Sequence, residues 1–108
     1  MKILSMPKGA PAISQVFGTF SNVNQNSTLE YEGTTYTFNY VQTPPQTIDG
    51  YVEVPGIMYM TYKGSNVWRF NVSYDMNYTS SLGQTGTINV GTPVDITIGI
   101  GSITFTPV

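Results

Sequence analysis

Glu30 and Glu32 are the only close pair of carboxylates in this 108-residue sequence, and only they have a spacing that acid–base chemistry could use. Residues two apart on one strand face lie about 7 Å from each other, a span found between the carboxyls of inverting glycosidases. That chemistry also needs a cleft and one carboxyl held protonated, and the residues around 30–32 supply neither. Beside a turn, two acids act more simply, by discouraging a hairpin edge from pairing with a foreign strand. The other acids, Asp49, Glu53, Asp75 and Asp95, are scattered, whereas a calcium site needs several oxygens converging from one loop. Asp49-Gly50 reads as turn chemistry.

Nucleophiles fare no better. Nine serines are present, but a chain without histidine cannot build a Ser-His-Asp triad. A Ser-Lys pair is conceivable, but Lys2, Lys8 and Lys63 all fall at chain ends or turns. Gly99 and Gly101 lack the third glycine and the following helix of a dinucleotide loop. The absence of cysteine removes disulfides, zinc fingers and thiol chemistry. No enzymatic activity, metal or cofactor is expected.

Charge narrows the partners. Only 9% of residues are charged, four basic against six acidic, where ordinary domains carry about 25%. Phosphate recognition needs clustered Lys and Arg, so nucleic acid is not expected as the main partner. Ser, Thr, Asn and Gln make up about a third of the chain and replace the missing ions. No window approaches the roughly 18 apolar residues of a membrane span. Residues 1–12, with Pro7, Pro11, Lys2 and Lys8, lack the apolar run of a signal peptide. They read as an extended N-terminal arm ahead of one domain at 13–108, in a product assembled inside its host cell.

The elements that would carry these residues are strands. Thr, Tyr, Val, Ile and Phe dominate, helical spacing is missing, and period-two alternation is broken by Gly, Pro and Asn every 8–12 residues or so. The expected fold is all-β, a two-sheet antiparallel β-sandwich of jelly-roll or immunoglobulin-like type with about eight or nine strands.

The clearest segment is 67–78, where Trp68, Phe70, Val72, Tyr74, Met76 and Tyr78 alternate with polar residues. Its length of about 40 Å as one strand requires it to cross the domain, bend between sheets or project to a neighbour. Gly64 suits the first central position of a type II′ turn. That register sets Thr61 against Trp68, Tyr59 against Phe70 and Ile57 against Val72 on the core face. Around Glu32-Gly33-Thr34, whether the turn is centred on Glu32-Gly33 or on Gly33-Thr34, a second hairpin puts Leu29, Tyr31, Tyr36, Phe38 and Tyr40 inward. Near the C-terminus, Val94, Ile96, Ile98 and Ile100 share one parity and Ile103 and Phe105 the other, so Gly99 to Ser102 must hold a bulge or turn.

The type II′ register leaves Met58, Met60 and Tyr62 on the outer face beside Arg69. Either another part of this domain covers that face, or, with Lys2 and Lys8 from the arm, these residues form a subunit or partner interface, since Met and Tyr are favoured at adaptable contacts. Tyr51, Tyr62 and Tyr78 are the aromatics left for a sugar-stacking platform. Asn26, Asn71 and Asn77 open Asn-x-Ser/Thr triplets and are candidate glycosylation positions, although so much Asn, Ser and Thr produces such triplets by chance. The combined expectation is a non-enzymatic structural assembly protein, a small viral capsid or minor virion coat subunit located in the virion. Its partners would be copies of itself or other structural subunits. The alternatives are an extracellular or cell-surface binding module for glycan or protein, and a pilus or fibre subunit.

Overall fold

The computed structural model describes residues 14–21, 26–43 and 47–108. The arm at 1–12, with Lys2 and Lys8, lies outside the described residues. What is described is a sandwich of two antiparallel sheets. The strands are β1 (Val16–Phe20), β2 (Thr28–Tyr31), β3 (Thr34–Thr37), β4 (Asn39–Thr43), β5 (Thr47–Val54) and β6 (Met58–Gly64), then β7 (Val67–Val72), β8 (Met76–Ser80), β9 (Thr85–Ile88), β10 (Val94–Thr97) and β11 (Gly101–Pro107). The six-stranded sheet runs β3-β2-β1-β11-β8-β9, and the five-stranded sheet runs β10-β7-β6-β5-β4. Among the described residues no helix is long and apolar enough to cross a membrane.

Among the described residues, eleven strands stand in place of the expected eight or nine, because three long segments turn a corner and change sheets. The segment 67–78 divides into β7 and β8, on different sheets. Ser73 to Asp75 make the crossing, tied down by the Ser73 N–H donating to the Ile57 carbonyl and the Val90 N–H donating to Asp75 Oδ1. Phe38 turns the chain from β3 to β4. Gly99 and Ile100 turn it from β10 to β11, at the place where the hydrophobic phase changes, and Ile100 projects into solvent.

The core fills the space between the sheets. Val16, Phe20, Leu29, Ile103 and Phe105 face it from one side, and Val52, Met60, Trp68, Phe70 and Ile96 from the other. Trp68 is fully buried, with Phe20, Phe38 and Tyr62 at ring-centroid distances of 5.5, 5.3 and 4.9 Å. Its indole N–H has no hydrogen-bond partner among the described residues, a cost of about 1–3 kcal/mol. Three ring contacts at about 0.5–1.5 kcal/mol each, added to burial of the whole side chain, outweigh that cost.

The β6–β7 hairpin departs from the type II′ expectation. Tyr62, not Thr61, opposes Trp68, while Met60 opposes Phe70 and Met58 opposes Val72. The two-residue turn is Ser65-Asn66, both with positive φ, and the ladder shifts between Tyr62 and Gly64. Gly64, at φ 91°, adopts a left-handed conformation that a side chain would resist. A one-residue slip exchanges every face of a strand. Met58 (2% exposed) and Met60 (0%) are therefore core residues and no outer contact, and Ile57, Tyr59 and Thr61 do not form the inward row. Burying the two methionines is worth about 1.5–3 kcal/mol each, which exceeds about 1–2 kcal/mol for each of the two left-handed residues at the turn.

The β2–β3 hairpin follows the sequence more closely. Glu32-Gly33 is its turn, with both φ values positive, and Leu29 and Phe38 are buried. Tyr40 is the exception. It stacks on Phe38 at 5.7 Å but remains 44% exposed, because β4 is the last strand of its sheet.

On β1, Gly18 leaves room for its neighbour. A Cβ there would approach the Phe20 ring to 2.7 Å and Leu29 to 3.1 Å, and the Phe20 ring is itself held against Trp68 and Phe70. Gly18→Ala is expected to destabilise the fold by about 1–3 kcal/mol through overpacking. The lower urea midpoint would be read from the fluorescence of Trp68, the only tryptophan.

Candidate recognition face of the five-stranded sheet

The inward row Val52–Met60–Phe70 on β5, β6 and β7 forces the alternate residues outward. The outer face of the five-stranded sheet consequently reads Asn39, Tyr51, Thr61, Arg69 and Asp95 along one row of the ladder, and Glu53, Tyr59 and Asn71 along the next.

Tyr51 and Tyr59 are diagonal neighbours in this ladder. Their rings stack at 5.3 Å with 26° between planes, and they remain 37% and 36% exposed. Beside them lies an open hollow of about 490 Å³, lined by Asn39, Val41, Asp49, Thr61 and Lys63 together with the two rings. Tyr62 borders it but is half-buried against Trp68, and its hydroxyl accepts a hydrogen bond from the Asn66 N–H at 3.0 Å.

Further along the same face, Arg69 and Asp95 form a two-pronged ion pair, with Nε donating to Oδ1 at 2.8 Å and Nη2 donating to Oδ2 at 3.1 Å. The hydrogen bond from Arg69 holds the Asp95 carboxyl below the ordinary aspartate range; burial opposes it, and the charges of Arg69 and Lys63 act in the same direction as the hydrogen bond. Both side chains are nearly half exposed, so solvent screens the pair and its contribution to stability is small.

The residues singled out from the sequence are thus dispersed. Met58 and Met60 are in the core, Tyr62 packs on Trp68, and Arg69 is committed to Asp95. Asn26 is exposed two residues before β2. Asn71 is half-buried opposite Tyr59, and Asn77 is exposed on β8, accepting a hydrogen bond from the Thr87 hydroxyl at 2.7 Å. Of the three platform tyrosines, Tyr51 stands on the outer face. Tyr78 is half-buried on the inner side, lying over Gly86.

Tyr59 was hidden by the type II′ register. The signal that could have found it is the pair Ser65-Asn66, since asparagine tolerates a left-handed backbone, combined with the more apolar parity of Met58, Met60 and Tyr62. Glu32 accepts a hydrogen bond from the Ser14 hydroxyl at 3.0 Å, and Glu30 is exposed on the neighbouring strand. Among the described residues, no three acids come together as a metal-ligand group.

No family model, curated protein or solved structure matches the chain.

The depressed Asp95 pKa has a definite linkage sign. Stability from the pair is fully present above the unfolded-state pKa and disappears as pH falls through the lower folded-state value. Followed by NMR, the Asp95 carboxyl should titrate below the ordinary aspartate range and return to it in Arg69→Ala. The stability difference between the two proteins should vanish at acid pH.

Proposed function

We propose that the chain is a non-enzymatic structural subunit that assembles with copies of itself through its sheet edges, as a component of a virion coat. The reading is supported by one lateral side of the sandwich. There the six-stranded sheet ends in β3 and the five-stranded sheet ends in β4, joined through Phe38. The ten residues from Thr34 to Thr43 contain no charged residue and no proline. Tyr40 and Val41 on this side are 44% and 62% exposed.

Soluble monomeric β-proteins usually blunt such edges with lysine, proline or an inward charge, because an open row of backbone donors and acceptors pairs with any suitable strand. Here both edge strands of one side lack those devices. Absence of protection is expected where pairing is the purpose.

The opposite side, formed by β9 and β10, is also short of charge, with Asp95 neutralised by Arg69. It is partly committed internally, since Gln84 Nε2 donates to the Thr97 carbonyl across the two sheets. The β3/β4 side is thus the stronger candidate for the first contact. A coat also suits a surface rich in neutral polar groups, whose charge hardly changes with pH.

The test is light scattering and electron microscopy of the full chain, beside a variant with Thr35→Lys and Thr37→Lys on the exposed face of β3. The expected result is an assembly that closes into particles, together with a monomeric lysine variant. A wild-type monomer overturns assembly altogether. Open fibres overturn the coat reading in favour of a fibre subunit, and an assembly indifferent to the lysines overturns the role of this edge.

A further inference from the structure

We infer that the hollow beside Tyr51 and Tyr59 is a binding site for a neutral saccharide. It lies on the sheet face and does not depend on edge assembly.

Three observations carry this. The first is the aromatic pair. Two stacked tyrosines more than a third exposed, on a face that is mostly polar apart from Val41, leave aromatic surface in water that could have been buried. The negative face of such a ring attracts groups with positive edges, and the C–H groups on one side of a pyranose ring have that character.

The second is the set of polar groups around the rings. Asn39, Asp49, Thr61 and Lys63 line the hollow. Among the described residues, none of the four spends its side chain on an internal hydrogen bond or ion pair. Arg69 and Asp95, on the same face outside the hollow, satisfy each other. Between them the four offer an acceptor only (Asp49), a donor only (Lys63) and two groups able to do both. Sugar hydroxyls, which donate and accept, match that mixture at every position.

The third is charge and size. One carboxylate and one ammonium leave the lining without net charge, which favours a neutral ligand over a polyanion or a basic peptide. About 490 Å³ lies within the range of roughly 300–1,000 Å³ typical of small-molecule sites.

The experiment uses the lysine-substituted β3 variant beside the wild-type chain, so that loss of assembly and loss of sugar binding are separable. Cellohexaose, maltohexaose, mannohexaose and chitohexaose are titrated while amide and aromatic resonances are followed. At least one sugar should shift Tyr51, Tyr59 and Thr61 selectively, in both proteins. Tyr59→Ala and Tyr51→Ala should each weaken that binding by about tenfold or more, with the fold intact by Trp68 fluorescence, while Leu82→Ala in the turn between β8 and β9 leaves it unchanged. Silence with all four sugars, or binding indifferent to both tyrosines, overturns the site. Protection of Tyr59 on self-association, without any response to sugar, assigns the face to a second copy and equally overturns it.

Discussion

The pairing of β6 with β7 is the constraint on which the rest of this structure depends. One residue of offset, taken up between Tyr62 and Gly64, sends Met58 and Met60 into the core and Tyr59 and Thr61 to the outer face. Every neighbouring strand inherits that choice through the ladder. Val52 and Phe70 can share a layer with Met60 only in this register, and Tyr51 can lie against Tyr59 only when both point outward. The turn accepts two non-glycine residues with positive φ to achieve this. Hydrophobic burial decides between the registers, and the turn adapts.

The core and the surface are linked through charge. Six carboxylates and four basic residues leave little for electrostatics to organise, so the sandwich relies on aromatic packing around Trp68 and on backbone ladders. Phe38 closes one side by packing edge-on to Trp68 while the chain passes from β3 to β4. On the other side Gln84 reaches across to β10. The ion pair among the described residues, Arg69 with Asp95, lies on a solvated face where it organises side chains more than it stabilises the fold. A surface of this kind offers neutral hydroxyls, amides and open strand edges. Edge pairing and recognition of neutral hydroxyl-rich ligands are the activities to which such groups are chemically suited.

Fold class was legible because period-two alternation with frequent turn residues has few other solutions. The inward rows Trp68–Phe70–Val72 and Leu29–Tyr31 could be read directly. Sheet changes could not. Val72, Tyr74 and Met76 keep the same parity through the corner at 73–75 because both sheets face one core, so a strand break leaves no mark in the alternation. The phase change between Ile98 and Ile103 did betray its corner, since Ile100 had to leave the core there. The hairpin register failed for a local reason: glycine at 64 fits a type II′ turn, but it serves here as the left-handed residue beside an irregular pair. Edge position is a property of the whole sheet. Neither the exposure of Tyr40 nor the open β3/β4 side could be read from those residues alone.

A chain without cysteine allows the register to be tested directly. Single cysteines placed at 58, 59, 60 and 61 can be labelled with a thiol reagent in the folded protein, with urea-unfolded samples as the reference. The account predicts fast labelling at 59 and 61 and protection at 58 and 60. Fast labelling at 58 and 60 with protection at 59 and 61 would contradict it, restoring the methionines to the surface and removing the tyrosine face together with the hollow beside it.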